Sequence, residues 1–267
     1  MKTSFNQRCA LRSLLVASAI GLVGALQPAA GQPIYTADFE PATFLDGAGL
    51  VGQDDWIAPP PLSPNAAVVS GDFPRQGRQT VHVLGADLEH QDFINELTAG
   101  YYDAVGSYRR PVNHDTAGTQ TIRISAHVRI DGPQTAAGNN FFSASIGGRA
   151  TSLDVSAGVG ELAISSDGHA YAYTGNENVP TFLGSLPVTL GDWHELAIEA
   201  DFAAETSSFY VDGVLLGTFP FDPAETYTGI LLRGAMLAYA APDTAANKKA
   251  DYAASYDKFS IKVLDGE

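Results

Sequence analysis

Three sets of residues have types and spacings suited to chemistry. Glu195, Glu199, Asp201 and Glu205 form an acidic run, and the first three share one face when the stretch is read at period two. Breaking a glycosidic bond needs one carboxyl group to protonate the leaving oxygen and another to attack or to activate water, so grouped acids raise that reaction first. Glu205, however, falls in a predicted turn, and a solvated acidic face running into a hairpin accounts for the run. In the second set, Arg123, His127 and Arg129 share one strand face, while His169, Tyr171 and Tyr173 share another. Eliminating a uronate needs a base and an acid, commonly Tyr and His, and a cation to neutralise the carboxylate. An aromatic row beside polar groups also suits sugar binding without reaction. Either use requires both strands to line one groove. Third, Asp257 has the parity of Phe259, Ile261 and Val263, which predicts an inward carboxylate in need of compensation.

These residues sit on strands. Leu196, Ile198, Ala200 and Phe202 alternate with Trp193, Glu195, Ala197, Glu199 and Asp201, the pattern of a half-buried strand. A turn at Ala203 to Thr206, a strand through Val211, the hairpin signal Asp212-Gly213 and a strand from Val214 to Phe219 complete a meander. Ile122, Ile124, Ala126, Val128 and Ile130 alternate in the same way against Arg123, Ser125, His127 and Arg129, which predicts a wet or ligand-facing sheet face.

Further strands are read at Tyr35 to Glu40, Ala66 to Ser70, Gln79 to Leu84, Tyr101 to Val112, Asn140 to Ile146, Glu161 to Ser165, His169 to Thr174, Ile230 to Ala240 and Ser255 to Val263. His90 to Glu96 suggests a helical turn, Gly147-Gly148 and Asp167-Gly168 suggest turns, and Trp56 in the Pro41 to Pro64 loop suggests a plug for one end of a sandwich. Many strands at hairpin spacing, without helical periodicity after the N-terminus, predict an all-β, two-sheet antiparallel β-sandwich.

Lys2, Arg8 and Arg12 precede or open an apolar run from Leu14 to Leu26, and small residues follow at Ala29, Ala30 and Gly31. That order predicts a secretory signal peptide over residues 1–31 and a single domain over residues 32–267, secreted or periplasmic once the segment is removed. The chain's one cysteine, Cys9, lies within it, so the exported domain has neither disulfide nor thiol chemistry. The end at Leu264 to Glu267 shows no sorting tail and favours free secretion. With 15 basic against 30 acidic residues the formal net charge is −15. A phosphate backbone or anionic membrane is bound by Lys and Arg, so nucleic acid and membrane are poor partners. No zinc set, nucleophile elbow, phosphate loop or dinucleotide fingerprint stands out.

Asp38-Phe39-Glu40, Gly52 to Trp56, Gly191-Asp192-Trp193-His194 leading to Tyr210 to Gly213, and Tyr256 to Ile261, in that order, resemble the laminin-G or concanavalin A-like jelly-roll superfamily. The resemblance implies two curved sheets with a concave face that, in relatives, often binds or cleaves glycans. It also implies that the first and last strands lie side by side, where a structural calcium ion can bridge them, with Glu40 and Asp257 as side-chain ligands. Hydrolases of this fold carry E-x-D-x-E or E-x-D-x-x-E; Glu199-x-Asp201-x-x-x-Glu205 departs from that. The Q-I-H and Y-F-K-A-G strings of alginate lyases are also missing. The expectation is therefore a non-catalytic carbohydrate-binding or adhesion-type module acting on an extracellular glycan or cell-surface polymer, with Arg123, His127, His169, Tyr171 and Tyr173 as its ligand surface. A polysaccharide lyase or glycoside hydrolase is the alternative, and a structural surface domain is a third.

Overall fold

The computed structural model describes residues 31–58, 66–72, 74–75, 77–90, 104–114, 121–149, 158–175, 182–220 and 231–264. Among these the strands are β1 (Gln32–Ala37), β2 (Ala67–Ser70), β3 (Thr80–Leu84), β4 (Glu89–His90), β5 (Ala104–Asn113), β6 (Thr121–Asp131), β7 (Phe142–Arg149) and β8 (Gly158–Ser165). They continue with β9 (His169–Gly175), β10 (Phe182–Pro187), β11 (His194–Asp201), β12 (Thr206–Val211), β13 (Val214–Pro220), β14 (Leu231–Ala240) and β15 (Ala253–Leu264). An eight-stranded sheet runs β13-β12-β11-β6-β15-β3-β2, with β1 also paired to β15; a seven-stranded sheet runs β10-β9-β8-β7-β14-β5-β4. The pairings are antiparallel, and the two sheets make a β-sandwich. No helix among the described residues is long and apolar enough to cross a membrane.

The period-two pattern decides which residues meet between the sheets. Ile122, Ile124, Ala126, Val128 and Ile130 of β6 are buried beside Leu196, Ile198 and Ala200 of β11, and face Ala144 and Ile146, Leu162 and Ile164, and Met236 and Ala238 of the other sheet. Tyr256 of β15 reaches across, its hydroxyl donating to the Leu237 carbonyl. Where the sheets come closest, glycine makes room. A Cβ on Gly148 would lie 2.2 Å from Ile124, and one on Gly234 would lie 2.4 Å from the Phe259 ring. Gly147-Gly148 thus forms the interior of β7 rather than a turn, because the facing core leaves no space for a side chain at Gly148.

One end of the sandwich is closed by the loop that follows β1. Trp56 is fully buried against Phe259, with ring centroids 5.1 Å apart at 73°, and against Phe39 and Tyr35 at 6.1 and 6.4 Å. Its indole N–H donates to the Tyr35 hydroxyl at 3.0 Å, and that hydroxyl donates to Asp54 at 2.6 Å. The Arg110 guanidinium lies 4.4 Å from the centroid of the Tyr35 ring. Burial and the Asp54 carboxylate push the Tyr35 phenol well above its ordinary pKa. The expected plug is therefore present.

Several boundaries differ from the sequence reading. β1 ends at Ala37 because Phe39 adopts φ 56° and turns fully buried into the core, which takes Asp38 to Glu40 out of the pairing. β10 was not anticipated: its segment is interrupted by Gly184 and ends on Pro187, features tolerated in the edge strand that it is. His90 ends β4, and the rest of the suggested helical turn lies outside the described residues. The signal segment, residues 1–30, lies outside them too.

Candidate functional site

The sandwich has two outward sheet faces, and the expected ligand residues are divided between them. Arg123 and His127 belong to β6, in the eight-stranded sheet; His169, Tyr171 and Tyr173 belong to β9, in the seven-stranded sheet. Each set points away from the core because alternate residues on its strand fill that core. No single groove contains both, which corrects the expectation that they share a face.

On the eight-stranded sheet, Arg123 is not wet. It is 7 % exposed, donating through Nη1 to Glu199 at 2.6 Å and through Nη2 to Glu195 at 3.0 Å, with its guanidinium 5.8 Å from the centroid of Tyr210. The cross-strand register makes this inevitable: Glu199 lies directly opposite Arg123, and Glu195 lies opposite His127. Asp201 instead accepts from the amides of Ala203 and Ala204, both at 2.9 Å, and Glu205 takes the turn at φ 54°. The acidic run is thus split between a charge clamp and a turn, with no free pair of carboxyls. Asp212 caps the following hairpin, accepting from the Glu195 amide at 2.8 Å and pairing with His194 at 2.7 Å.

Asp257 lies on this same outward face, opposite His127, and not inward by parity with Phe259. An extra residue in β15 between Asp257 and Ser260 shifts the alternation, with Lys258 at φ 53°. Asp257 is nevertheless fully buried, and its Oδ1 accepts from the Lys258 amide at 2.7 Å. Glu40 Oε1 accepts from the amides of Arg78 at 2.7 Å and Gln79 at 3.4 Å. These two carboxylates hold different backbone turns, and no group of three His, Cys, Asp or Glu side chains able to hold a metal occurs among the described residues.

His127 and His82, both partly shielded from solvent, also stand on this face. Burial lowers both imidazole pKa values below 6.5. At His127, Arg75 and Lys258 act in the same direction, opposed by Glu195 and Asp212; at His82, Asp131 and Asp72 oppose the shift and Arg129 adds to it. The folded state therefore binds fewer protons than the unfolded one in the window below 6.5. Their contribution to stability is complete above that pH and is lost as pH falls through the window. Urea midpoints are expected to decline from about pH 7 to pH 5.5, and to decline less in His82→Gln/His127→Gln. An unchanged slope in the double variant would assign the acid sensitivity elsewhere.

The seven-stranded sheet offers a different surface. Its outward register runs Tyr173, Glu161, Gly147, Ala235 and Arg109 across one row, and Tyr171, Ala163, Ser145, Leu237 and Ser107 across the next. His169, Ser165, Ser143 and Tyr239 form a third. The central positions on β7 and β8 are small, and although they face outward Ser143, Ser145, Ala163 and Ser165 are only 3, 0, 2 and 1 % exposed. Larger side chains on β9 and β14 stand to either side. The result is a face on which small, solvent-shielded residues lie between the larger, part-exposed His169, Tyr173, Glu161 and Tyr239.

Fixed hydrogen bonds organise that face. Ser145 Oγ donates to Glu161 at 2.5 Å, and the Tyr239 hydroxyl donates to the other Glu161 oxygen at 3.2 Å. The buried Asp167 carboxylate accepts from the Gly138 amide at 2.9 Å, the His169 amide at 3.2 Å and the Tyr171 hydroxyl, and lies 3.5 Å from His169 Nδ1. The Tyr171 and Tyr173 rings are 6.4 Å apart at 33°, and those of His169 and Tyr171 are 6.1 Å apart at 45°. Burial and Asp167 push the Tyr171 phenol well above its usual pKa, so it holds its proton. Glu161, Ser145 and Tyr239 were not singled out from the sequence, since only the strand pairing brings them beside the β9 aromatics.

Two packed antiparallel sheets of this order define the class as a jelly-roll β-sandwich. The chain belongs to the concanavalin A-like lectin/glucanase superfamily, whose sequence profile matches residues 100–257. No curated protein matches the sequence. Among solved structures, one reported for the endo-acting O-glycanases that human gut microbiota express to initiate mucin breakdown aligns at TM-score 0.52 and 10 % identity, over 88 % of this chain and 100 % of that one. LamAcat from Zobellia galactanivorans aligns at TM-score 0.50 and 14 % identity, over 86 % of this chain and 97 % of its own. A sialidase aligns at TM-score 0.47 and 13 % identity over 88 % of this chain, which spans 19 % of the sialidase's length. At 10 and 14 % identity the first two likenesses bear on the fold alone.

Proposed function

We propose that this protein is an exported glycan-binding module that uses the outward face of its seven-stranded sheet and performs no catalysis. The observation that carries the reading is the cluster of part-exposed His169, Tyr173, Glu161 and Tyr239 on neighbouring strands of that face. The part-exposed Glu161 carboxylate and Tyr239 hydroxyl can exchange hydrogen bonds with sugar hydroxyls, while aromatic faces take up the apolar side of a pyranose. The superfamily includes lectins and glucanases, and the O-glycanase structure supports an extracellular glycan as partner. Export rests on the charged, apolar and small residues of the N-terminal segment.

Two observations favour binding over chemistry. Tyr171 donates its proton to Asp167 and is held neutral, unsuited to act as a base. Glu161 has its oxygens engaged by Ser145 and Tyr239, and the other carboxylate named on this face, Asp167, is buried in the turn.

A glycan array followed by titration of the best ligand tests the reading. Tyr173→Ala and His169→Ala are each expected to weaken binding about tenfold, equivalent to about 1.4 kcal/mol, while Thr218→Ala on the other sheet leaves it unchanged. The same polymers are expected to yield neither new reducing ends nor unsaturated uronates. Product release by the wild-type protein would replace binding with catalysis.

A further inference from the structure

The extra residue in β15 creates a second feature, on the eight-stranded sheet. Asp257 pairs with His127 and Ser260 pairs with Ser125, so three steps along β15 match two along β6. The bulge places Lys258 at φ 53°, a conformation a lysine seldom adopts. Bulges of this kind re-aim side chains. Here Lys258 borders an open cleft of about 330 Å³ with Thr36 and Asp38 from the first strand and its end, and Ser260 and Lys262 from β15. Thr36 lies directly opposite Ser260 in the pairing of β1 with β15.

The charges in the cleft run against the rest of the chain. Acidic residues outnumber basic ones 30 to 15, and several cations are paired: Arg123 with Glu195 and Glu199, Arg129 with Asp131, Arg110 with Asp54 and Asp55. The ammonium groups of Lys258 and Lys262 have no ion pair or hydrogen bond among the described residues. Ser260 Oγ is buried and likewise lacks a partner there. Asp38, the cleft's one carboxylate, is exposed and accepts from the Glu40 amide at 3.3 Å. Two ammonium groups and two hydroxyls bordering one cleft are a donor set for an oxyanion, and lysine's compact charge suits a small one.

We infer that the cleft between β1 and the bulge of β15 binds a small oxyanion, a carboxylate or sulfate, through Lys258, Lys262, Thr36 and Ser260. The group is free in solution or carried on a sugar; the recognition chemistry is the same. This site lies on the eight-stranded sheet and does not depend on glycan binding to the seven-stranded one.

NMR titration of the full protein at constant ionic strength tests it, with sodium sulfate, glucuronate, glucose 6-sulfate and glucose as probes. Saturable shifts are expected at the amides of Thr36 and Ser260 for the three anions and not for glucose. Lys258→Asn/Lys262→Gln is expected to weaken them at least tenfold; asparagine tolerates the left-handed conformation, so the bulge is retained, and an unchanged melting temperature verifies it. Lys262→Gln alone, which leaves the bulge intact, is expected to weaken binding in the same direction. Response to sulfate alone or to the sugar anions alone still assigns an oxyanion site and identifies its source. Linear shifts with every anion, equal response to glucose, or undiminished binding in both variants overturns the assignment.

Discussion

Trp56→Ala is expected to lower unfolding free energy by about 3–5 kcal/mol, the range for removing a large aromatic from a packed interior. The indole is fully buried and contacts Phe259, Phe39 and Tyr35, so truncation leaves a cavity at the end of the sandwich that several rings cannot fill together. It also deprives the Tyr35 hydroxyl of its indole donor. Trp56→Phe keeps most of the volume and is expected to lose distinctly less. Chemical denaturation monitored by circular dichroism measures both; a loss below about 1 kcal/mol for the alanine variant would show that the loop after β1 does not close the core.

Arg123→Ala is the second large effect. It leaves Glu195 and Glu199, neighbours on one face of β11, without the cation that bridges them, on a surface where their side chains are 35 and 21 % exposed. Removing one partner of a fully buried pair costs about 3–5 kcal/mol, and the partial exposure here reduces the expectation to about 2 kcal/mol. The triple replacement Arg123→Met, Glu195→Gln, Glu199→Gln removes the charges together and is expected to recover most of that loss. If it unfolds as easily as the single variant, the contribution of Arg123 is packing against Tyr210 and not charge.

The same two residues show what the sequence conveyed. Period two was enough to identify the inward faces of β6 and β11, because Ile, Val, Leu and Ala alternate there with polar residues. The Asp212-Gly213 hairpin was equally legible: φ is positive at both residues, 50° and 76°, as a tight primed turn demands. Which strands lie side by side was not, because pairing between β6 and β11 joins residues some seventy positions apart. Arg123 therefore read as solvent-facing and Glu195 and Glu199 as a free acidic row, when each neutralises the other. Asp257 failed for a local reason. Parity counts residues, and one bulge at Lys258 inverts the count.

The candidate surface was half legible. His169, Tyr171 and Tyr173 stand together as their spacing implied, but the partners that complete the face, Glu161, Ser145 and Tyr239, come from β8, β7 and β14. Serines and alanines carry little chemical signal alone. Their meaning arises from being small where the flanking strands are large.

Mapping a bound oligosaccharide by NMR tests the central claim most directly, using the best ligand from the array. Binding on the seven-stranded face predicts saturable perturbations at Ser143, Ser145, Glu161, His169, Tyr173 and Tyr239. Perturbations confined to Arg123, His127, Glu195 and Tyr210, on the opposite sheet, would contradict it.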